Sequence, residues 1–98
     1  MQANYGGNSN APRVLIEKSS NMLPSMELDA SDFLKDIITQ KGARSYSEIC
    51  NALRERYQKK YDTNAWHVVL YKAYSIQPVK SIELKVENDI YLLFATKK

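Results

Sequence analysis

Very little in this chain can staple, ligate or span. Of its 98 residues, one is cysteine, one histidine and one tryptophan, with three glycines and three prolines. A single Cys50 forms no intrachain disulfide, which fits a reducing compartment and argues against a disulfide-stapled secreted domain. One histidine, His67, and one cysteine complete no zinc-ligand set, and no second histidine exists to act as a base for Cys50. The only glycine pair, Gly6-Gly7, sits in a polar leader, so no glycine-rich loop cradles a phosphate. No apolar run approaches the roughly 20 residues of a membrane-spanning helix. The first residues are polar, unlike a secretory signal. Asp29-Ala30-Ser31-Asp32 and Asp62-Thr63-Asn64 open like calcium loops, but neither has the central glycine or the closing glutamate.

What remains is the composition of one small globular domain, 44% hydrophobic and 26% charged. Seven tyrosines accompany two phenylalanines. Tyrosine suits half-buried and interface positions, where the ring packs and the hydroxyl stays wet. The net charge is +3, a mild bias that by itself does not point to nucleic acid.

The stretch from Lys59 to Tyr71, K-K-Y-D-T-N-A-W-H-V-V-L-Y, organises the rest. A basic helix end runs through a polar turn into a strand. Trp66, Val68 and Leu70 point to one face of that strand, and His67, Val69 and Tyr71 to the other. A strand apolar on both faces is covered on both. Helices of this short chain can cover one; a second polypeptide is the natural cover for the other.

Residues 1–12 show no period and read as a disordered tail or an interdomain linker; residues 13–98 form the domain. Arg13 to Lys18 reads as a strand, and Ser19 to Ser25 as a loop containing Pro24. From Met26 a helical stripe begins, with Ala30, Phe33, Leu34, Ile37 and Ile38; Ser25 or Asp29 caps its start and Gly42 its end. Ser45-Tyr46-Ser47-Glu48 is a capping box for a second helix, which buries Ile49, Leu53, Tyr57 and Tyr61. Residues 72–78 are weakly extended, and Pro78 keeps them out of a central strand. Ser81 to Glu87 alternates, with Ile82, Leu84 and Val86 inward and Ser81, Glu83, Lys85 and Glu87 outward. Glu87-Asn88-Asp89 makes a hairpin turn into a last apolar strand, Ile90 to Thr96. The order strand-helix-helix-strand-strand-strand predicts an α+β fold, two helices on one face of a small antiparallel sheet.

None of the chemistry-bearing residues forms a catalytic set. His67 beside Trp66 reads as packed rather than catalytic. Cys50 beside the buried stripe reads as an inert thiol; a small hydrolase or thiol enzyme would require it exposed and acidic. Arg54, Arg56, Lys59 and Lys60 make a basic helix end. A single-stranded nucleic-acid binder, the alternative reading, would interleave such charge with exposed aromatics. Tyr57 and Tyr61 lie instead on the apolar stripe, and positive charge at a helix C-terminus also suits the helix dipole.

The element order, with Lys59-Lys60-Tyr61, then Trp66-His67, then Tyr91-Leu92-Leu93-Phe94, resembles the dynein light chain family of the eight-kilodalton class. The likeness runs from about Arg13 to Thr96. It implies a non-catalytic, cytoplasmic binding hub without cofactor or metal, a two-fold homodimer that captures extended peptide segments by adding them to its sheet. Motor or other cytoskeletal components are the partners it implies; neither nucleic acid nor a membrane span is expected. The matching position places His67 at a dimer interface and makes dimerisation acid-sensitive; Val69, Tyr71, Tyr74 and Ile76 are the other residues expected on that face. Tyr46, Ser75, Ile82 and Leu84 fall at the peptide groove. The chain departs from the family between Trp66-His67 and Leu93-Phe94, where it is several residues shorter. Tyr46 also stands where the family has an acidic residue that reads a target glutamine. The shortened segment and polar leader are similar to the C-terminal light-chain-like domain of tegumental calcium-binding proteins of parasitic flatworms, which carry an EF-hand pair upstream. That likeness makes residues 1–12 a linker and places any calcium site outside this sequence.

Overall fold

The structure, a computed structural model, describes residues 13–40, 45–70 and 78–98. The fold is α+β in the expected order: β1 (Val14–Ser20), α1 (Pro24–Thr39), α2 (Tyr46–Lys60), β2 (Ala65–Leu70), β3 (Lys80–Val86) and β4 (Asp89–Thr96). The four strands form one antiparallel sheet in the order β1-β3-β4-β2, so β1 and β2 are its edges among the described residues.

The second helix follows its sequence signals closely. Ser45 Oγ accepts from the Glu48 amide, and the Glu48 carboxylate accepts from the Ser45 amide at 2.8 Å. Ile49, Leu53 and Tyr57, four apart, are its buried face. The first helix starts earlier than the stripe suggests. Pro24 occupies its first turn rather than the loop, and Leu23 stands at the cap with no side-chain hydrogen bond. Proline suits that position because its missing N–H would have no intrahelical partner there. Neither Ser25 nor Asp29 caps it; the Gly42 expectation lies outside the described residues, as does that for residues 1–12. β1 ends at Ser20 rather than Lys18, because Ser19 and Ser20 still pair with Ile82 and Ser81.

One core unites both helices with one face of the sheet. Leu34 and Ile37 of α1 and Leu53 and Tyr57 of α2 pack on Trp66, Ile82, Leu84, Tyr91 and Leu93. Trp66 is 2% exposed, lies edge-on to Tyr57 with ring centroids 4.6 Å apart, and donates its indole N–H to the Tyr61 carbonyl at 2.7 Å. Truncating such a residue to alanine costs about 3–5 kcal/mol, a large share of a small domain's stability. Asp29 of α1 ties the helix ends together, accepting from Lys60 Nζ at 2.7 Å and from the Tyr61 hydroxyl.

Glu83 keeps the alternation, on the face away from the helices, but it is buried there. β3 is a central strand, so Glu83 lies between Lys18 of β1 and Leu92 of β4 rather than at an open edge. Among the described residues, no helix is long and apolar enough to cross a membrane.

Candidate functional site

Antiparallel pairing sorts the residues of β2 by what they face. Trp66, Val68 and Leu70 join the helix-covered core or pack against it. His67 and Val69 lie on the far face, opposite Phe94 and Leu92 of β4. The far face is covered unevenly. Leu92 is fully buried and belongs to no part of the helix-side core, His67 and Phe94 are half-buried, and Val69 is 39% exposed. The His67 ring stacks on Phe94, centroids 4.9 Å apart, and its Nε2 lies 3.0 Å from Thr96 Oγ1.

The two sheet edges differ in kind. β1 carries a register shift between Ile16 and Lys18, so Glu17 interrupts its ladder, and both Glu17 and Lys18 are exposed. Bulges and charged residues are the usual protection of an edge against further pairing. β2 reads Ala-Trp-His-Val-Val-Leu, pairs with β4 without a shift, and has no Lys, Arg, Asp or Glu. No described residue pairs with its other side.

Above that open side, Ser47, Cys50, Asn51 and Arg54 of α2 and Val68 of β2 line a concavity of about 220 Å³. Burial pushes the Cys50 thiol above its ordinary value, the opposite of what a nucleophilic cysteine needs. Arg54 donates to Asn51 Oδ1 at 3.2 Å. A larger hollow on the outer face of α2 is lined by Ala52, Arg54, Glu55, Arg56, Gln58 and Lys59. It is less suited to a chain partner, since Arg56 is already engaged by Asp36 at 3.1 Å and by the Phe33 ring at 4.3 Å, and its described lining comes from α2 alone.

The residues singled out from sequence scatter. His67 and Val69 share the far face. Tyr46 is exposed at the start of α2, where its hydroxyl bonds to Asp89 and its pKa is raised chiefly by that bond. Ile82 and Leu84 correct the groove assignment: both are fully buried beneath the helices, because their strand is central and their side chains take the helix-facing half of the alternation. Tyr71, Tyr74, Ser75 and Ile76 lie outside the described residues. Asn51, Arg54 and Gln58 were not expected at the site. Arg54 and Gln58 recur at four-residue spacing on one side of α2, a signal that only became useful once β2 was known to run beside it.

At the basic end of α2, Tyr57 is fully buried and Tyr61 half-buried, so neither offers a free stacking face. Comparison with protein-family models finds no match, and comparison with curated proteins finds none.

Proposed function

We propose that this chain is a non-catalytic protein-interaction domain resembling the dynein light chain family. In this reading the open side of β2 takes up an extended segment of a partner, and the His67-Val69 face meets a second copy. The observation that carries it is the asymmetry of the edges: β1 is bulged and charged, whereas β2 is regular, uncharged and apolar on both faces. A cytoskeletal motor component or a tegument scaffold is the kind of partner the resemblance implies. By the same likeness, the domain belongs to a larger calcium-binding protein.

Sedimentation equilibrium at pH 7 and pH 5 tests the self-association. A dimer at pH 7 that loosens at pH 5 is the expected result. This expectation rests on the resemblance, which puts the matching histidine at an acid-sensitive dimer interface. The ring faces Phe94 and Thr96, and the charged residues on that sheet face are Glu83, Lys85 and Lys18. A strict monomer at high concentration removes the dimer, and a dimer indifferent to acid removes the histidine switch.

A further inference from the structure

The site on β2 has a definite register and a definite charge. The Trp66 amide donates to Gln58 Oε1 at 2.8 Å, so it points away from β4. In an antiparallel ladder, alternate residues turn both backbone groups to the same side. Val68 and Leu70 therefore present their N–H and C=O to the open edge, while Ala65, His67 and Val69 pair with β4. Gln58 Nε2 also donates to the Asn64 carbonyl at 2.7 Å, so the side-chain amide is held at both ends and occupies the edge position at Trp66.

A guest residue opposite Val68 shares its face and projects toward α2. There it meets Ser47, Cys50, Asn51 and Arg54, with no carboxylate among the described lining residues. The Arg54 guanidinium bonds Asn51 at 3.2 Å and reaches Glu55 only at 3.8 Å. Glu55 is the next residue on the helix and forms a long ion pair with the guanidinium nitrogen that bonds Asn51. A guanidinium has five N–H donors in a fork that fits a carboxylate, and among the described residues the partners of Arg54 engage Nη2 alone.

We propose that the segment taken up along β2 is acidic: a glutamate opposite Val68 pairs with Arg54, the guest backbone bonds Val68 and Leu70, and Gln58 fixes where the guest strand stops. The inference rests on the edge-binding reading above. A foreign segment fits better than a second copy's own residues 71–77, Y-K-A-Y-S-I-Q, which contain a lysine and no carboxylate.

The probes are the acetylated, amidated peptide Thr-Val-Thr-Glu-Thr-Val-Thr and its counterparts with Gln or Lys at the centre, titrated into the 98-residue chain by amide NMR at low salt. The glutamate peptide is expected to shift the Val68 and Leu70 amides, leave the Gln58-bound Trp66 amide in place, and bind about tenfold tighter than the glutamine peptide. Arg54→Ala equalises the two, and Arg54→Glu, on a half-exposed side chain, turns the preference to lysine. Equal affinity of the Glu and Gln peptides, with shifts at Val68 and Leu70, overturns the acidic selectivity and leaves the edge reading standing. Shifts confined to β1 or to the Lys59-Lys60 end overturn both, as does no binding by any of the three.

Discussion

The Tyr57 hydroxyl donates to the main-chain carbonyl of Met26 at 2.8 Å, a buried bond between residues 31 apart in sequence. It joins the last turns of α2 to the first turn of α1, adding a second donor to a carbonyl that α1 already pairs with the Ala30 amide. Burial pushes the Tyr57 hydroxyl well above the ordinary tyrosine range, so it remains a donor at any working pH. Tyr57→Phe keeps the ring and removes this bond, leaving the carbonyl its helical partner. Urea denaturation should show a loss of about 0.5–1.5 kcal/mol, and the thermal midpoint should fall by about 4–8 °C per kcal/mol. An unchanged midpoint would mean that the bond adds nothing net to stability.

Asp29 should govern the acid limb of stability. Its carboxyl is held below the usual carboxylate range, first by the hydrogen bond from Lys60 and then by that from Tyr61. A depressed folded value means that the contribution is complete above the ordinary value near ~4 and is lost as pH falls through the lower folded value. Asp29→Asn should therefore lower stability at pH 6 and flatten its decline between about pH 4 and pH 2. Denaturation at closely spaced pH values reads this directly; a variant with the same acid slope as the parent rules out Asp29 as its source.

Tyr61 should leave its mark on the alkaline side. Its hydroxyl is pushed up to about 12, chiefly by burial and then by its hydrogen bond to Asp29. The neutral hydroxyl is thus preferred in the folded state. Its contribution is whole below the ordinary value near ~10 and disappears as pH climbs through about 12. In Tyr61→Phe, this part of the alkaline loss should be missing, as followed by circular dichroism between pH 9 and pH 12.

The turn between β3 and β4 holds Glu87 at a φ of 55°, a left-handed conformation that disfavours a side chain bearing Cβ. Glycine is at home there. Glu87→Gly should raise stability by about 0.5–1 kcal/mol, measured by thermal unfolding. A fall instead would show that the glutamate side chain contributes more to the turn than its backbone strain removes.

Val69 separates the self-association surface from the fold. It is 39% exposed in one copy, whereas its cross-strand neighbour Leu92 is fully buried. Val69→Lys should place a charge in any copy-to-copy contact, dissociating a dimer while leaving the unfolding midpoint of dilute monomer within about 0.5 kcal/mol. Light scattering that finds the variant as dimeric as its parent moves the contact off this face.

Much of the scaffold is written along the chain. The Ser45–Glu48 capping box and the four-residue spacing of Ile49, Leu53 and Tyr57 define α2 by contacts within a turn or two. The alternation of Ile82, Leu84 and Val86 and the Glu87–Asn88 turn define the hairpin in the same local way. Such features depend on residues a few positions apart, so spacing reveals them. Helix start was less legible, because Pro24 serves equally as loop residue and first helical residue until the chain around it is placed.

What the tertiary structure alone decided is which surfaces stay open. The order β1-β3-β4-β2 makes β2 an edge and β3 central, and it comes from pairings such as Val14 with Val86 and Ala65 with Thr96. That order buried Glu83, withdrew Ile82 and Leu84 from any groove, and set Gln58 against the Trp66 amide. Side-chain period says that a strand has two faces; it carries no information about which strand lies beside it, since that neighbour is chosen by the packing of distant segments.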